Sequence, residues 1–348
     1  MARSDQHALA TFNTLAEIRF PEEVLTKGEE NVLVHDTGSD DESRVLVFSN
    51  NSLLEILNEA TILQMDGTFR ICPNLFHQLY TIHCWFRGRC VPVIYALLPS
   101  ATSETYGKLF EFLALHVRNR APIVVMDMEL AAKNAFTTKF ANANIKYWFY
   151  HFCQSHWRKI QELGHSVEYG NNPDFARSFR KFSALAFLPV YHIGRAFDIL
   201  YEDLIEDDRF ENFSTYFKNN YIGRRNRDGE RGRPRFAIEN WSQFTNVMDE
   251  ISRTNNRVEG WNRRAKEIAD CNHPHVFKLA RIIIKDMENS DAILNQIKAG
   301  HEPEPGRKRY TGFNLRLKNL LVHANFSPDD SDEKILQLLN SIANIIKY

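Results

Sequence analysis

The chain has 348 residues, 43% of them hydrophobic and 25% charged, with 15 Gly and 12 Pro. That balance excludes collagen-like, low-complexity and wholly disordered classes and leaves enough apolar side chain for a sizeable core. Lys and Arg number 43 against 44 Asp and Glu, for a formal charge of -1. Near-neutrality argues against binding nucleic acid through bulk positive charge, though not against a local basic patch. The cysteines (Cys72, Cys84, Cys90, Cys153, Cys271) are scattered and never form CxxC, which excludes a disulfide scaffold and a four-cysteine zinc module. The N-terminus lacks a signal-peptide shape, and no window approaches the ~18 uncharged apolar residues of a membrane span. A soluble chain in a reducing compartment is expected.

Residues 1–60 read as a partly flexible lead-in, with an acidic, turn-rich run at 35–43 and a helix over 49–60. Three apolar or alternating runs follow at 61–66, 76–86 and 91–99, rich in β-branched and aromatic residues and joined by short links, as in an antiparallel meander. A helix over 103–119 opens with a Ser cap, and 121–127 is a fourth strand of the continuously apolar, buried type. Then come a helix at 129–141, a fifth strand at 145–151 and a helix at 152–163. The order predicts an α/β fold with an RNase-H-like mixed five-stranded sheet, three antiparallel strands plus two reached by parallel crossovers. Residues 61–165 and 254–298 would form this core. Residues 166–253 would be an all-α insertion carrying a basic loop at 221–236, and 299–348 a linker and helical tail.

Phosphodiester chemistry with two metal ions needs acidic ligands clustered where strands end, and hard oxygen donors suit Mg²⁺ or Mn²⁺. Asp66 ends the first strand, Asp127 ends the fourth, and Glu259 lies on the helix after the insertion. Each has a plainer reading. Asp66-Gly67 is a favoured turn dipeptide, Asp127 could cap the next helix, and Glu259 could complete a capping box with Asn256. What sets them apart is that all three fall where one metal site would need them. Glu129 sits in the first turn of its helix and reads as structural support more than as a ligand. Cys153 and His156 share one helical face and make half a zinc site. A buried thiol beside a hydrogen-bonded His is preferred there to zinc.

Four motifs carry a resemblance. Asp66-Gly67-Thr68-Phe69, Asp127-Met128-Glu129, Cys153-x-x-His156 and Thr254-Asn255-Asn256-Arg257-Val258-Glu259-Gly260 occur in that order around the predicted strands. Together they resemble the catalytic domain of Mutator-like element (MULE) transposases, of the DDE class, over about 60–285. Met126 stands where that family commonly has Thr or Ser. The resemblance implies that Asp66, Asp127 and Glu259 form the catalytic, metal-binding triad, holding two Mg²⁺ or Mn²⁺ ions for DNA cleavage and strand transfer in the nucleus. Glu129, Cys153, His156, Asn255 and Asn256 would support that site or position DNA. A homo-oligomer, and a separate domain or protein that recognises the element's ends, are also implied.

The sharpest charge feature is Arg224, Arg225, Arg227, Arg231, Arg233 and Arg235, set against Asp228 and Glu230. Arginine pairs bidentately with phosphate, so this loop is expected on the DNA backbone. Its Arg231-Gly232-Arg233-Pro234 core also resembles an AT-hook. Arg257, Arg263, Arg264 and Lys266 add charge around Glu259, and Asn262 offers a neutral hydrogen bond to phosphate or base. Trp241 and Trp261 are expected in the core. Two other functions fit the same residues, a domesticated DNA-binding or regulatory protein without transposition and a nuclease without strand transfer.

Overall fold

Two units emerge in this computed structural model, one of Met1–Ile145 with Asn255–Glu304 and one of Lys146–Thr254 with Pro305–Tyr348. Residues 11–119, 121–249, 256–301 and 308–346 are described, without the side chains of 256, 257 and 308–311.

In the first unit α1 (Glu22–Leu25) leads into a small ribbon of β1 (Thr26–Lys27) and β2 (Glu30–Asn31). Then come β3 (Leu33–Asp36), β4 (Leu46–Phe48) and α2 (Asn51–Asn58). The meander is β5 (Ile62–Thr68), β6 (Gln78–Phe86) and β7 (Arg89–Leu98), and α3 (Ser103–His116) crosses to β8 (Ile123–Met126). The crossover α4 (Leu130–Lys139) reaches the edge strand β9 (Asn144–Tyr147). The sheet order is β3-β4-β7-β6-β5-β8-β9, with β5 antiparallel to β6 and parallel to β8.

The sheet therefore has seven strands, not the five expected, because β3 and β4 extend it from within the supposed lead-in. Val45, Leu46, Val47 and Phe48 are buried, and β4 pairs with β7. Beside them the buried Arg44 ion-pairs with Asp36 at 2.6 Å and donates to the carbonyls of Leu15 and Ile18. A three-residue strand next to an acidic turn lies below what alternation can reveal. Proline is tolerated within β7 because the ladder shifts register there. His83 pairs with Pro92 while Ile82 pairs with Ile94, so the ring's missing N–H falls at a bulge.

Two boundaries also move. The cap of α3 is Thr102, which accepts from Thr105 N, rather than Ser103. The run from Phe149 to His151, read as strand, is already helix in α5 (Phe149–Glu162). Its aromatics suggest a strand, but the buried positions Phe149, Phe152, Cys153, His156 and Ile160 recur at helical spacing, and that face decides. Two long helices complete the first unit. α12 (Asn256–Ala269) packs on β5, and α13 (Val276–Lys298) packs on β7 and on α12.

Among its described residues, apart from the end of β9 and one bridged hairpin, the second unit is helical. It comprises α5, α6 (Ser166–Asn171), α7 (Pro173–Ala184), α8 (Val190–Leu204), α9 (Asp208–Phe217), α10 (Ile238–Trp241), α11 (Phe244–Met248), α14 (Lys308–His323) and α15 (Asp332–Ile345). Its core is aromatic. Phe152 stacks on Trp241 at 5.0 Å between centroids, and Phe175, Phe179, Phe182, Phe187 and Phe197 are all buried. The tail helix α15 packs on α7 and α8, with Arg180 donating to the Ala343 carbonyl and Arg195 pairing with Asp332 at 2.6 Å.

Candidate active site

The carboxylates are brought together by strand register. β5 and β8 pair Ile62 with Ile123, Leu63 with Val124 and Gln64 with Val125, and two residues further the same register sets Asp66 beside Asp127. A carboxylate oxygen of each lies within 4.8 Å of the other. Asp66 is 5% exposed. It does not end its strand, since β5 runs on to Thr68 and Asp66-Gly67 pairs with Thr81 and Tyr80 rather than making a turn. Nor does Asp127 cap the following helix. Glu129 holds the cap position of α4, and its backbone N–H donates to the Asp127 carbonyl at 2.7 Å.

Gly67 admits a close approach. A Cβ there would stand 2.2 Å from Gln78 Oε1. The bare glycine lets the Gln78 side chain lie over the strand, where Nε2 donates to Tyr106 Oη at 2.6 Å. Tyr106 in turn donates to Glu129 Oε2 at 2.7 Å. This relay from β6 through α3 fixes the Glu129 carboxylate next to Asp127. Burial raises the Glu129 pKa above the ordinary value, the Asp127 charge adds to that, and the Tyr106 hydrogen bond opposes it. Burial also pushes Tyr80 well up, helped by Tyr106 and by the negative field of Asp127, Glu129 and Asp66. Negative potential is thus concentrated around this strand end, where a cation would relieve it.

On the other side, α12 delivers Asn262, whose Nδ2 donates to Asp66 Oδ2 at 2.9 Å. The helix is held by its buried face of Val258, Trp261, Ala265 and Ala269. Trp261 Nε1 donates to Asp286 at 2.7 Å, and Asp286 also accepts from Tyr95. Burial raises the Asp286 pKa, and the two donors and the Arg264 charge oppose it. Glu259 sits one turn before Asn262 and is half-buried. Among the described residues it belongs to no set of three ligand-type side chains within 4.8 Å. Arg263 and Arg264 are exposed on the same helix. Asn255 lies outside the described residues, as do the side chains of Asn256 and Arg257.

The remaining expected residues belong to the helical unit. Cys153 and His156 do share a face of α5, and both are buried. His156 Nδ1 is 2.8 Å from Ser183 Oγ, with Phe152, Phe213, Phe217 and Tyr221 around its ring. Burial pushes its pKa down to about 3, so the ring is neutral. The arginine loop is a hairpin closed by the bridge between Arg225 and Arg231. Gly223, at φ +91, makes it fit, since a Cβ would meet the Gly232 carbonyl oxygen at 1.9 Å. Arg225 and Arg231 both pair with Asp198, and Arg231 also donates to the Gly194 and Gly223 carbonyls. Arg224 donates to Asn219, and Arg235 lies over the Phe236 ring. Arg227 and Arg233 are exposed and form no ion pair among the described residues.

Sequence reasoning gave Asn262 to DNA, whereas its amide serves Asp66. The three-residue step from Glu259 was the available signal. Gln78 and Tyr106 carried no such signal, because their pairing depends on cross-strand register.

The first unit is thus a mixed α/β domain with two neighbouring carboxylates, one buried and one half-buried, at the ends of parallel strands. Residues 62–155 match the family model of the MULE transposase domain. The recognition read from the motifs is supported by that match, and over residues 62–155 the chain resembles a transposase-related domain. The matched segment includes Asp66, Asp127, Glu129 and Cys153, and ends before His156, the arginine hairpin and Glu259. No curated protein matches the chain. No helix among the described residues is long and apolar enough to cross a membrane.

Proposed function

We propose that this chain is the catalytic part of a DDE-type transposase with an RNase-H-like core, cutting DNA and joining the freed end to a target. The observation that carries this reading is the pairing of Asp66 with Asp127 within 4.8 Å, inside the segment that matches the MULE transposase domain. Two hard carboxylates at that spacing, one of them buried, fit Mg²⁺ or Mn²⁺ better than a soft ion. Asp66 and Asp127 would hold the metal, with Glu259 entering from α12. Such ions supply Lewis-acid polarisation of the phosphodiester and charge stabilisation at the attacking and leaving oxygens.

The protein's own groups set the geometry. Asn262 donates to one Asp66 oxygen and so fixes the orientation of that carboxylate. Tyr106, braced by Gln78, holds the Glu129 carboxylate against α3. In cleavage, water attacks phosphorus, a P–O bond forms, and the 3′-oxygen departs as a hydroxyl. In joining, that 3′-hydroxyl attacks a target phosphorus in line, and the target's own 3′-oxygen leaves.

The test uses duplexes drawn from the DNA on either side of the coding sequence, with Mn²⁺. Cleavage that depends on metal and on Asp66 and Asp127 is expected, and cleavage indifferent to all three overturns the reading. A pre-cut end incubated with plasmid then yields a joined product, which a simple nuclease does not make. Asn262→Ala is expected to lower activity and metal affinity by about 10–100-fold, the usual loss for a group that orients a ligand. Titration calorimetry with Mn²⁺ checks it, and unchanged affinity removes Asn262 from the site.

The arginine hairpin supports a DNA partner. With Arg225 and Arg231 tied to Asp198, Arg227 and Arg233 are left for phosphate. Because Arg231 is pinned by its carbonyl and carboxylate contacts, backbone contact is favoured over AT-hook insertion. Arg227→Ala with Arg233→Ala is expected to weaken duplex binding at all sequences and to flatten the log–log salt slope by about 1.8. Anisotropy titrations at several salt concentrations measure this, and an unchanged slope would place DNA elsewhere.

A further inference from the structure

Apart from the acidic site, the second unit contains a cleft of about 290 Å³ lined by Tyr150, Cys153, Gln154, Trp157 and Tyr169. Tyr150, Gln154 and Trp157 follow one another along one face of α5. Tyr150 is 45% exposed, and Cys153 is buried. Trp157 and Tyr169 are half-buried and meet edge to face, with centroids 5.1 Å apart. Gln154 brings an amide to this wall, beside the hydroxyls of Tyr150 and Tyr169. Its Nε2 donates to Tyr150 Oη at 3.5 Å, and its Oε1 accepts from Arg158 Nη2 at 3.2 Å. Both bonds are solvent-exposed, so the amide can exchange them for a ligand.

These features narrow the occupant. The volume falls just below the range of ~300–1,000 Å³ typical of sites for drug-sized molecules, which suits one planar ring system and not a duplex. Aromatic faces stack any base, an amide offers a donor and an acceptor to a base edge, and a guanidinium beside it takes the attached phosphate. A purely aliphatic ligand would use neither Gln154 nor Arg158. Tyr150, Cys153 and Gln154 also lie within the segment matching the MULE transposase domain.

We propose that this cleft takes a single unpaired nucleobase of DNA, stacked against Tyr150 and met at its edge by Gln154. This rests on the reading of the chain as one that acts on DNA.

The experiment uses the full chain and a single-stranded oligonucleotide with 2-aminopurine at one position, with duplex binding followed in parallel by anisotropy. Saturable quenching of 2-aminopurine is expected. Tyr150→Ala should weaken single-strand binding about tenfold, within the range for loss of one stacked base, and should remove the quenching. Tyr150→Phe should keep both, and duplex affinity should not change. Oligonucleotide binding without quenching, equal behaviour of Tyr150→Ala and wild type, or no single-strand binding each overturns the proposal. Oligonucleotide binding that ignores Tyr150, while an aromatic peptide shifts the tryptophan fluorescence, overturns it in favour of a protein-docking groove. Quenching that depends on Tyr150 in a protein that never cuts DNA upholds the cleft and rejects the transposase chemistry.

Discussion

Replacing Asp66 or Asp127 by Asn is expected to lower Mn²⁺-dependent DNA cleavage by at least about a hundredfold, the scale lost with one preorganised charge-stabilising group, while the fold stays intact. The amide keeps the shape of the carboxylate, and Asp66 can retain a hydrogen bond with Asn262. What disappears is an anionic oxygen donor, which a hard divalent ion does not replace with a neutral amide at equal affinity. Stability should respond in the opposite direction. Without metal, two carboxylates within 4.8 Å repel each other at a nearly dry strand end, so removing one charge should raise the melting temperature of the metal-free protein. The same substitution should erase the upward shift that Mn²⁺ gives the wild type. Gel-based cleavage and thermal melts with and without Mn²⁺ measure both. Variants that cleave within about tenfold of wild type, or still melt higher with Mn²⁺, would show that these carboxylates are not the ligands.

The same two residues show what the chain discloses before folding. Asp66 and Asp127 were legible because each ends or interrupts an apolar run and sits in a recurring motif. Their meeting needs β8 beside β5, and α3 carries the chain there from β7, across the meander. The β3 and β4 strands were not legible, since β4 has three residues and depends on β7 for its pairing. The aromatic run at 147–152 misled for a related reason. Tyr, Trp and Phe suit a strand in isolation, and only the packing of Phe149, Phe152 and Cys153 on one face makes it helical. Around the site, motifs named the carboxylates but not their supports. Gln78 lies over Gly67 only because β5 and β6 pair in one particular register, and Tyr106 looked like one more core residue of an amphipathic helix.

Charge is distributed along the same lines. The near-balance of basic and acidic residues averages over distinct local environments. Asp66, Asp127 and Glu129 gather negative field at one strand end of the first unit. In the second unit, Arg227 and Arg233 are presented by a hairpin whose Arg225 and Arg231 are spent on Asp198. With part of the arginine cluster used internally, the cluster offers DNA fewer cations than its count suggests. On the proposed function, weak, salt-sensitive DNA binding is the expected result.

His156 should make the helical unit sensitive to acid. It is fully buried, with a pKa held down to about 3, whereas an unfolded histidine titrates near ~6.5. Below that value the unfolded chain takes up a proton that the folded one refuses. The stability this neutral ring allows is therefore present above about pH 6.5 and is lost as pH falls toward about 3, at about 1.4 kcal/mol per pH unit. Between pH 7 and pH 5 the wild type should lose about 2 kcal/mol from this residue alone. His156→Gln keeps a polar partner for Ser183 Oγ but cannot titrate, so its stability should fall less over the same interval, even if it starts lower. Urea unfolding at the two pH values, followed by tryptophan fluorescence because Trp241 stacks on Phe152 in the same core, provides the comparison. Parallel losses in the variant and the wild type would mean that acid acts elsewhere. A smaller loss in the variant assigns the effect to a histidine whose ring is enclosed by Phe152, Phe213, Phe217 and Tyr221.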